Sequence, residues 1–334
     1  MQKEFRYSTE IMADVFRIKL PLPGRKPGPV NAYLFKGEEM TLMDTGMRQS
    51  ASLLRKALRE HGLDFCDIRK IVITHGHPDH YGAARKIVKA GGARVYASAA
   101  DQGLIESGRD ISLQQYGKFL ELLGVPQSVS LLLRMLSVLF QMMAGNCPVH
   151  QIIREGDEIG IGKYCAKIIE TPGHSRGSIC LFLEKEETLF CGDTLIEHIT
   201  PNAFMMLEEK EKLPVRISQD EFYASLEKIR NLSPSRIFSA HGKAMTDAEK
   251  LIAGYKRAFA LRKEKVLSIV RDGETNVYKT ARRLFPDLGG LRLPLELFLA
   301  ISEVYTTMQV LERERKILFD SSSGLLKVTC YEDA

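Results

Sequence analysis

The sequence predicts an α+β protein in two parts, a larger part that mixes strands with helices and a smaller part that is mostly helical. Residues 15–20 alternate between apolar and polar side chains, which is typical of a half-buried strand. Short apolar runs such as 71–73 alternate with segments of helical spacing, and this alternation predicts β-α-β units. From residue 246 onward the strands give way to long helical stretches. The 334 residues are enough for two domains.

The first hundred residues open with strands and continue as a β-α-β alternation. Strands are predicted at 15–20, 31–35, 40–43, 71–73 and 94–97, and helices at 50–61 and 82–90. Gly62 and Gly91-Gly92 follow the two helices, where glycine commonly ends a helix. The proline- and glycine-rich residues 21–29 predict a loop.

A helical insertion then interrupts the strands. Residues 99–147 are rich in Leu and Met and predict helices that break at glycine and proline. Strands resume near residue 152 and are predicted at 165–170, 178–183, 188–191 and 237–239, with an amphipathic helix at 221–231. We therefore predict one domain over residues 1–245, with the insertion at about 99–147.

The remaining residues, 246–334, predict a second domain. Helices are predicted at 247–271, 275–284 and 295–316, followed by a β-hairpin formed by 317–320 and 325–329. Three helices and a terminal hairpin are the outline of a winged helix, so we predict a winged-helix-like domain.

Composition limits where the protein works and what it binds. None of the six cysteines forms a Cys-x-x-Cys pair, which argues against a disulfide framework. The first residues are charged and lack the apolar segment of a secretory signal. The longest apolar stretch, 129–143, is shorter than the roughly 20 residues that a spanning helix needs. We expect a cytoplasmic protein without a membrane partner.

Three of the eight histidines and one aspartate lie in a single hexapeptide after the strand at 71–73. His75 and His77 are two residues apart on an extended segment, so they point the same way and could share an ion. Asp79 and His80 lie beyond a proline and could face a second ion. Histidine and aspartate are typical zinc ligands. The hexapeptide therefore predicts a metal centre, and a solvated polar turn or a turn that only sequesters metal are the alternatives.

The hexapeptide His75-Gly76-His77-Pro78-Asp79-His80 resembles the His-x-His-x-Asp-His signature of the metallo-β-lactamase superfamily. Four further motifs of that family follow its order along the chain and contain Asp44, His174, Asp193 and His241. The resemblance covers roughly residues 13–245 outside the insertion. It implies a four-layer αββα sandwich that carries the helical insertion.

The resemblance also implies two divalent metal ions, with zinc expected and manganese or iron as alternatives. Carried over by position, one ion is held by His75, His77 and His174, the second by Asp79, His80 and His241, and Asp193 bridges the two. Asp44 would orient a ligand without binding metal itself. The implied mechanism uses a hydroxide that bridges the ions and attacks the substrate, with Asp79 as the catalytic residue that orients the water.

Other residues near these motifs receive simpler interpretations. His61 ends a helix and is predicted to be structural, since a cation is favourable there. His150 is predicted to lie on the surface, and Cys191 to be a packing residue. Glu197 and His198 follow the Asp193 motif closely, so they are candidates for the substrate pocket.

The first substrate class that the sequence supports is a thioester, lactone or related small ester. The motif Gly192-Asp193-Thr194-Leu195 and the following residues 199–202 resemble the glyoxalase-type hydrolases of the superfamily. Apolar side chains of the insertion could form a lid over an acyl chain: Leu132, Met135, Leu136, Leu139, Phe140 and Met143. The alternative is that these helices form a core or the interface of a homodimer.

The second class is a phosphodiester. A winged helix after a lactamase domain resembles the lactamase-beta-like endoribonucleases, which would make RNA a partner. Residues 250–334 contain 15 Lys and Arg against 11 Asp and Glu, so most of the chain's net charge of +5 lies there. The basic residues include Lys279, Arg282, Arg283, Arg313, Arg315 and Lys316. A third alternative is a regulator that binds a small molecule without turnover.

Overall fold

The chain forms two compact units in a computed structural model. The structure describes residues 6–22, 27–108, 112–288 and 293–331. Within these ranges it describes all side chains except those of residues 140–143, 293 and 294. Each unit is discontinuous in sequence. The first consists of Met1–Arg109, Phe140–Pro201 and Ser225–Glu249, and the second of Asp110–Leu139, Asn202–Ala224 and Lys250–Ala334.

The first unit contains a seven-stranded mixed sheet. Its strands, in spatial order, are β1 (Ser8–Met12), β2 (Val15–Leu20), β3 (Val30–Phe35), β4 (Thr41–Met43), β5 (Lys70–Val72), β6 (Arg94–Ser98) and β7 (Gln151–Ile153). Strands β1 to β4 pair antiparallel, and β4 to β7 pair parallel. The parallel half places the carboxyl ends of β4, β5 and β6 along one edge of the sheet.

A second, five-stranded sheet belongs to the same unit. Its strands are β8 (Glu158–Ile161), β9 (Tyr164–Glu170), β10 (Ile179–Leu183), β11 (Thr188–Phe190) and β12 (Arg236–Phe238), in the spatial order β12-β11-β10-β9-β8. Only β11 and β12 pair in parallel, because the chain between them includes a helix and returns to the same edge.

Two hydrophobic clusters build the first unit. One joins the sheets and includes Tyr33 and Phe35 of β3 with Phe190 and Phe238 of the second sheet. The other joins the first sheet to its helices, which are α1 (Ala51–Glu60), α2 (Pro78–Tyr81), α3 (Ala84–Gly91) and α4 (Gln102–Ser107). Every residue of β3 is buried, as expected for a strand that is covered on both faces.

The second unit is mostly helical. It contains α5 (Leu113–Leu122), most of α6 (Gln127–Ala144), the first half of α7 (Ser218–Leu232), nearly all of α8 (Ala248–Arg271), α9 (Val277–Leu284) and α10 (Leu293–Arg313). A hairpin of β13 (Ile317–Asp320) and β14 (Lys327–Cys330) follows α10. One hydrophobic cluster includes Phe119 and Leu120 of α5, Val266 of α8 and Ile301 of α10.

The predicted elements have counterparts in the structure, and β1 is an additional strand. It escaped prediction because its five residues, Ser-Thr-Glu-Ile-Met, do not alternate between buried and exposed positions. The predicted terminal hairpin forms with Ile317 opposite Cys330. Among the described residues, no helix is both long and apolar enough to cross a membrane.

The insertion is helical as predicted, but its central part belongs to the second unit. Residues 110–139 lie in the second unit, whereas the sequence predicts that the whole insertion belongs to the domain 1–245. The reason is that Phe119, Leu120 and Leu133 share a hydrophobic cluster with α8 and α10. The compact units therefore do not follow a single boundary near residue 245.

Candidate metal centre

The candidate metal ligands all follow the carboxyl ends of strands in the first unit. His75 and His77 lie between β5 and α2, and Asp79 and His80 lie on α2 itself. His174, Asp193 and His241 come after β9, β11 and β12 respectively. His77 is extended, with φ −84° and ψ 142°, and Pro78 starts α2 directly after it, where a missing N–H costs nothing. Both sheets thus contribute to one group of side chains.

Three histidines form the first cluster. His75 Nε2 lies 2.9 Å from His77 Nδ1, and His174 Nε2 lies 3.1 Å from the same His77 Nδ1. His75 and His174 are buried and His77 is partly buried. The three nitrogens therefore face one another from two separate loops.

The second cluster combines Asp79, His80 and His241. Asp79 Oδ2 lies 3.7 Å from His80 Nε2 and 3.6 Å from His241 Nε2. Asp193 Oδ2 lies between the clusters, 3.6 Å from His174 Nε2 and 3.8 Å and 3.5 Å from His80 Nε2 and His241 Nε2. One carboxylate oxygen is thus within reach of both clusters.

Asp44 fixes two of the histidine rings. Its Oδ2 accepts hydrogen bonds from His80 Nδ1 at 2.8 Å and from the Thr74 hydroxyl at 2.8 Å. Because the Thr74 hydroxyl hydrogen points to Asp44, the Thr74 oxygen at 3.1 Å accepts the Nδ1 hydrogen of His75. In the neutral form of each ring, Nε2 then carries a lone pair, and this lone pair faces the cluster.

His241 is oriented in the same way by a backbone carbonyl. Its Nδ1 donates to the Pro29 oxygen at 3.1 Å, so Nε2 of the neutral ring also presents a lone pair. The side chain of Asn31 donates to the oxygens of Ser239 and Gly242 at 3.0 and 3.2 Å. The loop that holds His241 is thereby tied to the start of β3.

These residues fit a pair of divalent cations. Among the candidate ligands, three buried atoms make no hydrogen bond within the described residues, namely His80 Nε2, His241 Nε2 and Asp193 Oδ1. Buried polar atoms normally have a hydrogen-bond partner, so three neighbouring atoms without one point to a missing partner. Two nitrogens on a tetrahedral zinc with bonds of about 2.0–2.1 Å lie roughly 3.3 Å apart, close to the spacing of the three-histidine cluster.

The electrostatics of the two clusters differ. Burial lowers the pKa of His75 far below its usual value, and the neighbouring His80 and His77 lower it further. Burial also disfavours the charged form of His80 and His241. At His80 the negative charges of Asp79, Asp44 and Asp193 outweigh the effect of burial. At His241 the charges and hydrogen bonds of Asp193 and Asp79 do the same. The pKa of His80 rises to about 9 and that of His241 to about 11. The first cluster offers neutral nitrogens, and the carboxylates around the second attract positive charge.

A sequence model of the metallo-beta-lactamase superfamily matches residues 25–241, which is more than half of the chain. The chain belongs to the metallo-beta-lactamase superfamily. The resemblance carried by the five motifs is thereby confirmed.

Relatives and solved structures extend the similarity over most of the chain. Probable metallo-hydrolase YqjP of Bacillus subtilis (strain 168) is 28% identical over 310 residues, which cover 91% of this chain and 94% of that protein. Hydroxyacylglutathione hydrolase of Methylococcus capsulatus is 24% identical over 210 residues, or 62% of each chain.

Among solved structures, a metallo-beta-lactamase family protein from Thermus thermophilus has a TM-score of 0.79 and 22% identity, and the match covers 96% of this chain and 100% of that chain. A beta-lactamase domain protein from Burkholderia ambifaria has a TM-score of 0.81 and 18% identity, and the match covers 97% of this chain and 94% of that chain. At these identities the likeness shows the fold.

The structure brings together all seven side chains that the superfamily motifs predict as ligands, with Asp44 directly behind them. The predicted pocket residues Glu197 and His198 are exposed. His198 Nε2 lies 2.7 Å from the Pro27 oxygen, and its ring lies against Gly242, beside the candidate ligand His241.

The other residues that the sequence singled out lie away from the cluster. His61 caps α1, and its Nε2 lies 2.9 Å from the Ser8 hydroxyl. His150 is exposed and its Nδ1 accepts the Val95 N–H at 3.1 Å. The thiol of Cys191 is buried and contacts backbone oxygens, which agrees with a packing role.

Sequence reasoning missed Asp101, which lies just after β6. Its side chain is only 1% exposed and accepts hydrogen bonds from both loops of the three-histidine cluster. No motif marks it, and the only signal was its place after a strand of the parallel half of the sheet, at the edge where the hexapeptide ligands also lie.

Proposed function

We propose that this protein is a metal-dependent hydrolase with two divalent cations, zinc being the expected metal, bound by the two clusters. The position of Asp193 carries the proposal, because its Oδ2 lies within 3.8 Å of histidine nitrogens from both clusters. A carboxylate in that position can join two ions into one centre. The relative named a probable metallo-hydrolase, which matches along nearly its whole length, supports the same activity.

Cations at such a centre act as Lewis acids and lower the pKa of a water molecule, which supplies a nucleophile at neutral pH. The chain itself contributes an open carboxylate. The Asp79 side chain is 19% exposed, whereas those of His80 and His241 are fully buried. Burial disfavours its charge, but His80 and His241 outweigh this and hold the pKa of Asp79 at about 2. Asp79 is therefore ionised at neutral pH and can orient a water by accepting its hydrogen.

The substrate class that we favour is a thioester, lactone or related small ester with an apolar acyl part. Its support is the relative named hydroxyacylglutathione hydrolase, together with the apolar side chains of α6. Leu132, Met135 and Leu139 are exposed and Leu136 is partly buried, while the side chains of Phe140 and Met143 lie outside those described. Whether this face covers an acyl chain or joins two copies of the chain stays a prediction.

We also infer a winged-helix-like fold for α8 to α10 with the terminal hairpin, and four layers for the first unit.

Contacts in the second unit do not favour RNA as its partner. In α10 the residues Val304–Leu311 are buried, so this helix has no face there for a nucleic-acid groove. Three of the basic residues form ion pairs: Arg283 with Asp272, Arg313 with Asp220 and Glu314, and Lys316 with Glu314.

The proposal predicts about two metal equivalents per chain in the purified protein, as measured by elemental analysis. In a panel of acyl-thioesters, lactones, bis-p-nitrophenyl phosphate and single-stranded RNA, we expect hydrolysis of the carboxylic substrates. Asp79→Asn should reduce kcat about 100-fold or more, because it removes the open carboxylate. Asp287→Asn, at an exposed position of the second unit, is the matched control.

Two results would contradict this proposal. A metal-free protein whose hydrolysis is unchanged by Asp79→Asn would rule out the metal centre as the catalyst. Cleavage of RNA with no turnover of thioesters or lactones would replace the substrate class by the phosphodiester alternative.

A further inference from the structure

Asp101 is a buried carboxylate that the proposed mechanism does not use. It ends a short 3-10 helix, Ala99–Asp101, between β6 and α4. Its Oδ2 accepts hydrogen bonds from the Gly76 N–H and the Ser175 hydroxyl, both at 2.7 Å, and its Oδ1 accepts the Gly177 N–H at 2.8 Å. A carboxylate that is 1% exposed and holds three donors is a fixed point in the structure.

The three donors belong to the two loops that carry the three-histidine cluster. Gly76 separates His75 from His77, and Ser175 directly follows His174. The first loop extends from the seven-stranded sheet and the second from the five-stranded sheet. The Asp101 carboxylate therefore joins one loop from each sheet, next to the histidines that would bind one cation.

The packing around Asp101 is tight enough to depend on glycine. A Cβ on Gly177 would lie 2.6 Å from Asp101 Cγ and 2.7 Å from its backbone nitrogen. A Cβ on Gly76 would lie 2.8 Å from Leu104 Cβ and 3.2 Å from Asp101 Cβ. The two loops can approach the carboxylate only because both positions lack a side chain.

The charge of Asp101 also acts on the cluster. Burial lowers the pKa of His77, and the negative charges of nearby carboxylates, Asp101 among them, act in the opposite direction. The same field would favour a cation held by these histidines. Asp44 has the equivalent place behind the second cluster, where it accepts the His80 Nδ1 hydrogen at 2.8 Å.

We propose that Asp101 is a positioning residue that sets the separation of His77 and His174 and so determines cation affinity at the three-histidine cluster alone. Asp44 acts mainly on the cluster that contains His80, and through the Thr74 hydroxyl it also orients His75. The inference rests on the proposed function in that it assumes two cation positions, and it adds that a separate buried carboxylate supports each of them.

The test measures cation binding by the full-length apoprotein, prepared by chelation and titrated with Zn²⁺ against a chromophoric chelator. Wild type should bind two equivalents tightly. Asp101→Asn should keep one tight equivalent and bind the other about 10–100-fold more weakly. Asp44→Asn should weaken the position that contains His80 and, because Thr74 links Asp44 to His75, the three-histidine position to a smaller degree, so the double variant should lose both tight equivalents. Asp287→Asn, at an exposed position, should match wild type.

Each outcome bears on a distinct claim. Wild-type protein that binds no Zn²⁺ contradicts the proposed function and this inference with it. Two tight equivalents in Asp101→Asn, equal weakening of both positions, or one surviving tight equivalent in the double variant would overturn the role of Asp101 alone. Should Asp101→Asn fail to fold, Ser175→Ala removes the hydroxyl donor to Asp101 together with its bond to the Ser178 hydroxyl, and we expect one position to weaken about fivefold while the other is unchanged.

Discussion

Asp44 combines a rare backbone conformation with complete burial. Its φ of 56° is in the left-handed region, which costs a residue other than glycine about 1–3 kcal/mol unless the surroundings hold it there. Its N–H donates to the Val72 oxygen at 2.9 Å, and its Oδ1 accepts the Thr74 N–H at 2.9 Å. These bonds oppose the strain and aim the second carboxylate oxygen at His80. The strain is therefore located at a residue that orients a candidate ligand.

Thr74→Val tests how strongly this network is held. Valine has nearly the same shape but lacks the hydroxyl, so one buried oxygen of Asp44 loses a donor and the Nδ1 hydrogen of His75 loses its acceptor. We expect the free energy of unfolding of the metal-free protein to fall by about 1–3 kcal/mol in chemical denaturation. Thr188→Val removes a single bond to the Glu186 oxygen and should cost less. If the free energy of unfolding fell equally in the two variants, the hydrogen bonds around Asp44 would stabilise the protein no more than the single bond of Thr188 does.

At the scale of elements, the candidate ligands could be named from the sequence because each lies in a short motif, at the end of a strand, that resembles a motif of the superfamily. Asp101 was not, since two of its three donors are the backbone N–H groups of Gly76 and Gly177, 25 and 76 residues away, and the third is the hydroxyl of Ser175, 74 residues away. A backbone donor is present at every residue except proline, so no residue type in the sequence can indicate it. The contact of His198 was equally hidden, because its partner is the Pro27 carbonyl, 171 residues earlier.

The C-terminal end of helix α2, which carries Asp79 and His80, lies close to the backbone of Arg48. A Cβ on Gly82 would lie 2.6 Å from both the Arg48 nitrogen and the Pro78 oxygen. Gly82→Ala should therefore displace α2 and lower the free energy of unfolding by about 1–3 kcal/mol. In Gly254→Ala, within α8, the new Cβ meets nothing within 4 Å, so stability should rise by about 0.5–1 kcal/mol. Thermal denaturation of both variants shows whether each one gains or loses stability. A stabilised Gly82→Ala would contradict the close approach of Gly82 to the Arg48 backbone.

At the scale of the whole molecule, the sequence could not predict which segments share a core. The patterns of α5 and α6 identify them as helices, but their core partners are in α8 and α10, well over a hundred residues later. Apolar periodicity shows that a face is buried and leaves its partner unspecified. In the first unit the partners are clearer, because the superfamily motifs bring both sheets to one group of ligands.

Because the candidate ligands come from both sheets of the first unit, bound cations would tie the sheets together and stabilise that unit by linkage. We expect chelation to increase amide hydrogen exchange in peptides that cover residues 171–178 and 239–242, as measured by mass spectrometry. Peptides from residues 255–270 of α8, which contain no candidate ligand, should exchange at an unchanged rate. In Asp193→Asn the carboxylate that lies between the two clusters is lost, so the difference between the chelated and metal-loaded protein should shrink. Uniform deprotection of both units on chelation would show instead that cations stabilise the whole chain without acting at these loops.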